Sequence, residues 1–584
     1  MSAYYEPIEL TINDLDRITL PDFQRGFVWS KKKKNEFIET LSKGFPFGTL
    51  LVYPESEETG SRLLLLDGQQ RLSTIKEYLS DPLVFWKPNN SDSYQQSLKD
   101  INQLLEDQTG EPKILNEKEF DDLVNGGTDA VANWLDQLDD EKGVNASTRT
   151  QVRTIFKDLH ANIDSYVNVT DIRILAIKFT GSKEHIAEVF SNLNKGGMPL
   201  SKYEIYRAAW IHEKVVLSPA GSSKQQDKIL GLVKDYYTEM SNNAEFDLNG
   251  FSEDELTAER SITLSELGAA LGMFAQSNLG ALISDTPNSI NEIGFGILGI
   301  ATNTDNRQLD ILSSKANQIR DNLQVILEKT ERICVNLQST FAKLLRRISA
   351  TKSDCFESGL SASFKTLSYF AALWDLDPDS EEYRRSLNNI RSYYVFDSWT
   401  KAWSSHGDQR LSDYYPKQGK RTYLEPVSQE SFEDALNQWL SDTTPGINFN
   451  RETKALVTIH ANLSYLSTTV PHGESFELEH IIAKKRINEV DSDPSNRKIY
   501  GGALGNCMYL PKQLNNKKKE KTLYDINCDG NYDELIRDAF YFDKEQLDSA
   551  LSALASKNVE EVNKLISIRG SQVGKDLINK LLKA

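Results

Sequence analysis

Two clusters of side chains in this sequence have the types and spacing of working chemistry. One lies towards the carboxy-terminal end: Ser475-Phe-Glu-Leu-Glu479-His480-Ile-Ile, then Leu504-Gly-Asn506-Cys-Met-Tyr-Leu510, then Asn515-Asn516-Lys517-Lys518-Lys519. A carboxylate beside an imidazole, with amides and lysines following, suits hydrolysis of a phosphodiester at a single metal ion. That reaction needs an activated water, an in-line geometry and neutralisation of charge on the phosphate. An imidazole that titrates near neutral pH suits proton abstraction. A hard cation such as Mg²⁺ or Mn²⁺ takes oxygen ligands and keeps waters, so one carboxylate and one amide carbonyl beside the phosphate suffice. His480 is then the candidate base, and Glu479 and Asn515 the candidate metal ligands. The plain alternative is a surface strand followed by a solvated, lysine-rich helix start. The other histidines, His160, His185, His212, His406, His460 and His472, have no comparable setting, although His472 lies close in sequence to His480.

Such a site needs particular elements to build it. If Phe476 to Glu479 is a strand, adjacent side chains leave opposite faces, unless the strand ends or bulges at His480. A strand end there would let Glu479 and His480 approach one centre. Gly505 to Leu510 suits the return strand. A helix starting within Pro511 to Lys521 would bring Asn515 back to the metal. Lys518 would then lie one turn later on the same face, ready for substrate phosphate.

The second cluster is Leu63-Leu-Leu-Leu-Asp67-Gly68-Gln69-Gln70-Arg71. A short apolar strand stops at Asp67-Gly68, and a helical pattern follows with Leu72, Ile75 and Leu79 on one face. A glycine-bearing turn from strand into helix exposes backbone N–H groups and the positive end of the helix dipole, which suits phosphate. Arg71 adds a forked donor for phosphate oxygens. Asp67 suits proton transfer, cation binding or orientation of a water, and Gln69 and Gln70 suit base or ribose edges. The same residues also read as an ordinary strand–turn–helix.

These residues carry two resemblances. The order Glu479-His480, Asn506, Asn515, Lys518 is similar to that of the HNH, or ββα-metal, nucleases. The resemblance implies that Glu479 and Asn515 bind metal, His480 is the general base, Asn506 steadies the hairpin and Lys518 supports the site. The tandem Asn515-Asn516 leaves open which of the two occupies the ligand position. Asp67-Gly-Gln-Gln-Arg71-Leu resembles the signature of the ParB/sulfiredoxin-like nucleotidase domain of GmrSD-type, modification-dependent restriction enzymes. Pro21-Asp-Phe-Gln24-Arg25-Gly-Phe-Val-Trp29 and Phe190-Ser-Asn-Leu-Asn194-Lys-Gly-Gly-Met-Pro-Leu-Ser201, ending in Glu204, resemble that domain's other blocks, in the family's order. The resemblance implies nucleoside-triphosphate hydrolysis by one domain and DNA cleavage by the other, against phage DNA with modified bases or backbone. It assigns Gln24, Arg25, Gly68, Gln69, Gln70, Arg71, Asn194 and Glu204 to nucleotide binding, and Asp67 to catalysis.

The rest of the chain frames these clusters. Its 584 residues, 39% hydrophobic and 26% charged, suit a multidomain α+β protein, predominantly helical, with several cores. The expected domains are a ParB/sulfiredoxin-like α/β domain over 1–210 with a polar insertion near 87–145, a helical linker or dimerisation region over 211–440, and an HNH-like domain with helices over 441–584. Further strands are expected at Thr49–Tyr53 and Asp171–Phe179. Helices are expected at His185–Leu193, Ser201–Trp210, Ile229–Met240, Leu264–Phe274, Leu309–Ile348 and Phe364–Trp374. Turn signals at Asn89–Ser93 and Asn125-Gly126-Gly127 suggest an insertion with some helix, anchored by Trp134 and Leu135. Gly294, Gly296 and Gly299 lack phosphate-loop spacing and read as packing residues.

Composition also excludes some classes. A net charge of −18 argues against a chain that coats nucleic acid, but not against a local basic groove. Lys31 to Lys34, Lys484 to Arg486 and Lys517 to Lys521 are candidate phosphate contacts or plain solvated charge. Four cysteines without C-x-x-C spacing fit free thiols in a reducing cytoplasm. No membrane span or signal peptide is expected. The expected protein is thus a cytoplasmic, nucleotide-regulated endonuclease acting on double-stranded DNA. A homodimer is expected, because one one-metal site cuts one strand at a time. The alternatives are a nucleotide-responsive DNA-binding regulator with a silent nuclease motif, and a nuclease toxin.

Overall fold

The computed structural model describes residues 5–19, 29, 31–54, 62–169, 172–181, 210, 213–242, 253–347, 355–466, 475–494, 496–527 and 529–583. The chain divides into two compact units, Met1–His212 with Asp235–Glu253, and Glu213–Lys234 with Asp254–Ala584. Helix predominates, beside a small mixed sheet.

That sheet lies in the first unit. Its strands are β1 (Tyr5–Leu10), β2 (Ile18–Thr19), β3 (Leu50–Pro54), β4 (Leu63–Asp67) and β5 (Ile174–Phe179), in the order β1-β5-β3-β4-β2. β3 runs parallel to β5 and antiparallel to β4, with a register shift between Leu51 and Val52. Leu63 to Leu66 are all buried. Both faces of β4 are therefore covered, and its sequence is a continuous apolar run rather than an alternation. The helix Gln69–Ser80 follows β4 directly and buries Leu72, Ile75 and Tyr78. Leu79, expected on that face, is 38% exposed, and Tyr78 fills the core position instead.

The polar stretch is more helical than its composition suggests. Helices span Pro82–Asn89, Ser91–Thr109, Glu117–Lys142 and Ala146–Asp164. The side chains of Asp81, Asn116 and Asn145 cap these helices, accepting from the backbone N–H groups of Val84, Glu119 and Thr148, and the turn expected at Asn89–Ser93 is reduced to Asn90 between two helices. Gly127, at φ 69 and ψ −162, does interrupt helical geometry, but inside the span Glu117–Lys142. Leu135 is buried and Trp134 packs on the same core as Tyr94, Phe120 and Phe156. Lys87 ties two of these helices by meeting Asp121 at 2.8 Å and Glu117 at 2.8 Å.

The second unit opens with a short pair, β6 (Lys214–Val216) and β7 (Ser261–Thr263). The helices Leu264–Asn278 and Pro287–Thr302 then pack backbone to backbone. A Cβ on Gly294 would stand 1.9 Å from the Gly268 carbonyl oxygen, and one on Gly272 would stand 2.0 Å from that of Ile290. Gly294 is thus a packing glycine. The single helix expected over Leu309–Ile348 is broken. A 3₁₀ segment, Asn306–Lys315, leads to helices Ala316–Asp321 and Leu323–Leu345, with Asn322 non-helical between them. Apolar periodicity continues across that break, so the pattern conceals it. Helices also span Lys224–Asn242, Ser363–Leu373, Gln429–Ser441, Arg451–Leu463 and Val559–Lys583. Residues on both sides of 440 belong to this one unit. Cys334 and Cys507 are buried thiols whose pKa values burial pushes up.

His460, on the helix Arg451–Leu463, is buried and bonds through Nε2 to Asp576 Oδ2 at 3.1 Å. Burial lowers its pKa below 6.5, although Asp576 pulls the other way. The folded protein therefore holds His460 neutral where the unfolded chain would protonate it. Its contribution to stability should be complete above about pH 6.5 and should fall away as pH drops through the folded value. Urea midpoints at roughly pH 7.5 and 5.5 check this. The wild type should lose stability across that interval and His460→Gln should lose less; parallel losses would remove His460 as the source.

Candidate active site

The carboxy-terminal motif folds into a hairpin and a helix. β8 (Phe476–His480) pairs antiparallel with β9 (Cys507–Pro511), Glu479 opposite Met508 and His480 opposite Cys507. The helix Lys512–Lys518 follows β9 at once, shorter than the stretch expected to contain it. The strand ends at His480, as the convergence of the two side chains requires, yet Glu479 bonds to Lys518 and His480 to Ile447, in different directions. Glu477 and Glu479 face the helix, whereas His480 turns to the loop that precedes the helix Arg451–Leu463.

That loop prepares the imidazole. The His480 Nε2–H donates to the Ile447 carbonyl oxygen at 2.7 Å, and the ring stacks on Phe449 with centroids 3.9 Å apart. A carbonyl can only accept, so Nε2 carries the proton and Nδ1 keeps a lone pair. Burial pulls the His480 pKa down to about 4; the bond to Ile447 opposes this, and Lys484 and Lys518 add to it. The ring is therefore neutral at physiological pH, but a weaker base than the near-neutral imidazole expected from the sequence.

On the other face, Lys518 Nζ donates to Glu479 Oε1 at 3.1 Å and to the His480 carbonyl oxygen at 2.9 Å. Lys518 is completely buried, and burial lowers its pKa against the pull of Glu479. Asn515 Nδ2 donates to Glu477 Oε2 at 3.1 Å. Its neighbour Asn516 is exposed, so Asn515 is the asparagine turned to the hairpin. The face thus gathers the Glu479 carboxylate and an amide whose nitrogen is already engaged. Oxygen donors of this kind suit a hard cation, but the Glu479 carboxylate is already paired with the buried Lys518 ammonium, which an ion would have to share or displace. Among the described residues, no group of three or more histidine, cysteine, aspartate or glutamate side chains could hold a metal. Any ion here would therefore lean on the amide oxygen, waters and substrate.

Asn506 is fully buried and clamps the turn after His480. Its Oδ1 accepts from Ile482 N at 2.8 Å, and its Nδ2 donates to Gly501 O at 2.8 Å and Ile482 O at 3.3 Å. Behind it stands Arg569, whose guanidinium donates to the carbonyl oxygens of Leu504, Gly505, Cys507, Ala539 and Phe540 at 2.7–3.2 Å. Arg569 and the loop residues Ile447 and Phe449 escaped the sequence reading. A signal existed for Arg569, a lone cation on the otherwise apolar buried face of Val559–Lys583 at helical spacing from Ile566 and Val573. The loop gave only Thr443-Thr444-Pro445-Gly446, which read as a boundary. In the structure it is pinned down, with Gly446 N donating to Ile499 O at 3.0 Å and Gly502 N to Gly446 O at 2.7 Å. Of the candidate phosphate contacts, Lys484 meets Asn448 Oδ1 at 2.9 Å, while Lys485 and Arg486 are held by Glu520. Lys517, Lys519 and Lys521 are exposed.

In the first unit, Gly68 caps the helix Gln69–Ser80 at φ 97. Arg71 Nη2 donates to Thr49 O at 2.9 Å and to Asp67 Oδ2 at 3.1 Å, while Gln70 Oε1 accepts from Trp29 N at 2.7 Å. Asp67, Gly68, Gln70 and Arg71 are thus brought together at one turn, and Gln69 opens the helix. Gln24, Arg25, Asn194, Glu204 and His472 lie outside the described residues. Trp29 packs edge-on against Phe37 with centroids 5.1 Å apart. Within the lysine run, Lys34 is buried and paired with Glu77 at 2.6 Å, a structural role. A Cβ on Gly68 would stand 2.3 Å from Leu50 Cδ2, in a backbone region that side chains rarely adopt. Gly68→Ala should therefore destabilise this unit by about 2 kcal/mol or more, read as a lower urea midpoint for its unfolding.

Residues 8–211 match the family model described as GmrSD restriction endonuclease, N-terminal domain. A curated relative, an uncharacterized protein of Methanocaldococcus jannaschii, is 24% identical over 225 residues. The match covers 32% of this chain and 38% of that protein, so the chain spans well under two thirds of the relative's length. No helix among the described residues is long and apolar enough to cross a membrane.

Proposed function

We propose that the chain is a nucleotide-regulated, metal-dependent endonuclease that cuts or nicks DNA, modified phage DNA in particular. The observation that carries this reading is the neutral, stacked His480 at the end of a hairpin whose other face holds Glu479 and Asn515. A phosphodiester laid across the end of β8 would have imidazole Nδ1 on one side and the carboxylate on the other. Nδ1 takes the proton of the attacking water. Glu479 and the Asn515 oxygen would hold Mg²⁺ or Mn²⁺, which when bound neutralises charge on the phosphate. Asn506 holds the turn, and Lys518 supports the site from inside. The turn Asp67–Arg71 would take a nucleoside triphosphate, with the helix N-terminus and Arg71 facing its phosphates. The similarity of residues 8–211 to the amino-terminal domain of a restriction-endonuclease family supports DNA as the substrate. A homodimer in the cytoplasm completes the reading, because paired cuts need two such hairpins.

A second reading draws on one observation. Lys518 already occupies Glu479, which suits a nucleotide-responsive DNA-binding regulator with a silent hairpin. Cleavage assays on modified and unmodified phage genomes, with and without each nucleotide and each divalent ion, separate the two. Metal-dependent nicking supports the enzyme, and tight DNA binding without any nicking supports the regulator.

A further inference from the structure

We propose that Glu477 is a positioning residue that turns the Asn515 amide so that its oxygen faces the cation. This rests on the hairpin being a cation site. Glu477 and Glu479 lie on the same face of β8, two positions apart. They divide the helix Lys512–Lys518 between them. Glu479 meets Lys518 at 3.1 Å, and Glu477 accepts from Asn515 Nδ2 at 3.1 Å.

The chemistry of the pair dictates the orientation. An ionised carboxylate has no proton to give, so only the NH₂ end of the amide can face it. The amide is planar, and its oxygen then points away from Glu477. A hard cation needs that oxygen and would be repelled by the N–H groups. The last torsion of an asparagine is broad and nearly two-fold, so an unguided Asn515 would populate both orientations. Glu477 removes that degeneracy, as a carboxylate does when it orients a metal-bound histidine. Its other partner, Lys512 at 3.8 Å, is more than half exposed and holds it only weakly.

Calorimetric titration of the full chain with Mn²⁺, without nucleotide or DNA, tests the assignment. Glu477→Ala should raise the Kd about tenfold or more. Glu477→Gln can donate as well as accept, so it no longer dictates which end of the amide faces it, and it should also bind more weakly than the wild type. Asn515→Asp presents only oxygens and needs no guide, so adding Glu477→Ala to it should cost nothing further. Thermal melts of each protein confirm that the fold is kept. Unchanged affinity in Glu477→Ala overturns the proposal. A tenfold loss in the Asn515→Asp background overturns it too, since Glu477 would then act by its charge. A wild type that takes up no Mn²⁺ sinks the cation site itself, and this assignment with it.

Discussion

His480→Ala protein should nick supercoiled DNA about a hundred to ten thousand times more slowly than the wild type, with its fold retained. The size follows from what the ring does. With Nε2–H committed to Ile447 O and the ring stacked on Phe449, the imidazole has one orientation and one free lone pair. Alanine leaves the water to ionise unaided. The pH profile provides a second reading of the same group. Its pKa lies at about 4, so the active, neutral form persists as the solution becomes mildly acidic. The rate should show no acid limb from this residue between roughly pH 8 and 6. Nicking that survives the substitution would remove His480 as the base. A limb centred at the ordinary histidine value would show that the ring is not buried as described.

Arg569→Met should be the most damaging single change for the carboxy-terminal module. Its guanidinium is buried, and burial draws its pKa down to about 10. Among the described residues it reaches five carbonyl oxygens and no carboxylate. Methionine fills similar space but leaves those acceptors without partners, each costing about 1–3 kcal/mol if it stays dry. Relief of the arginine's own desolvation offsets part of this. A net loss of at least about 3 kcal/mol is expected, visible as a lower urea midpoint for this unit. Gly505 adds a second constraint at the same place, because a Cβ there would stand 1.7 Å from Ile566 O. A variant as stable as the wild type would mean that water replaces the guanidinium without cost.

The sequence exposed the local parts of this architecture. A run of leucines ending at Asp67-Gly68 carries its own turn, and the Glu-His pair with a return strand and a polar helix carries its own hairpin. Both formed where periodicity placed them, and of the tandem pair Asn515 bonds to the hairpin while Asn516 is exposed. What escaped depends on residues far away in the chain. No local pattern says that Phe449 will lie on His480, or that Arg569 will cap the start of β9, since these contacts span about 30 and 60 residues. Composition misled in the polar stretch, where asparagine and aspartate serve as helix caps rather than loops. The opposed faces of Glu479 and His480 could be read only conditionally, because the strand's last residue decides them.

The dependence of β9 on Arg569 also sets an order in time. During synthesis the hairpin leaves the ribosome well before the arginine that holds it. A chain interrupted in that interval carries the imidazole, the carboxylate and the amide without the brace that fixes their spacing. The hairpin is therefore braced only once residue 569 has been made, however early its own strands emerge.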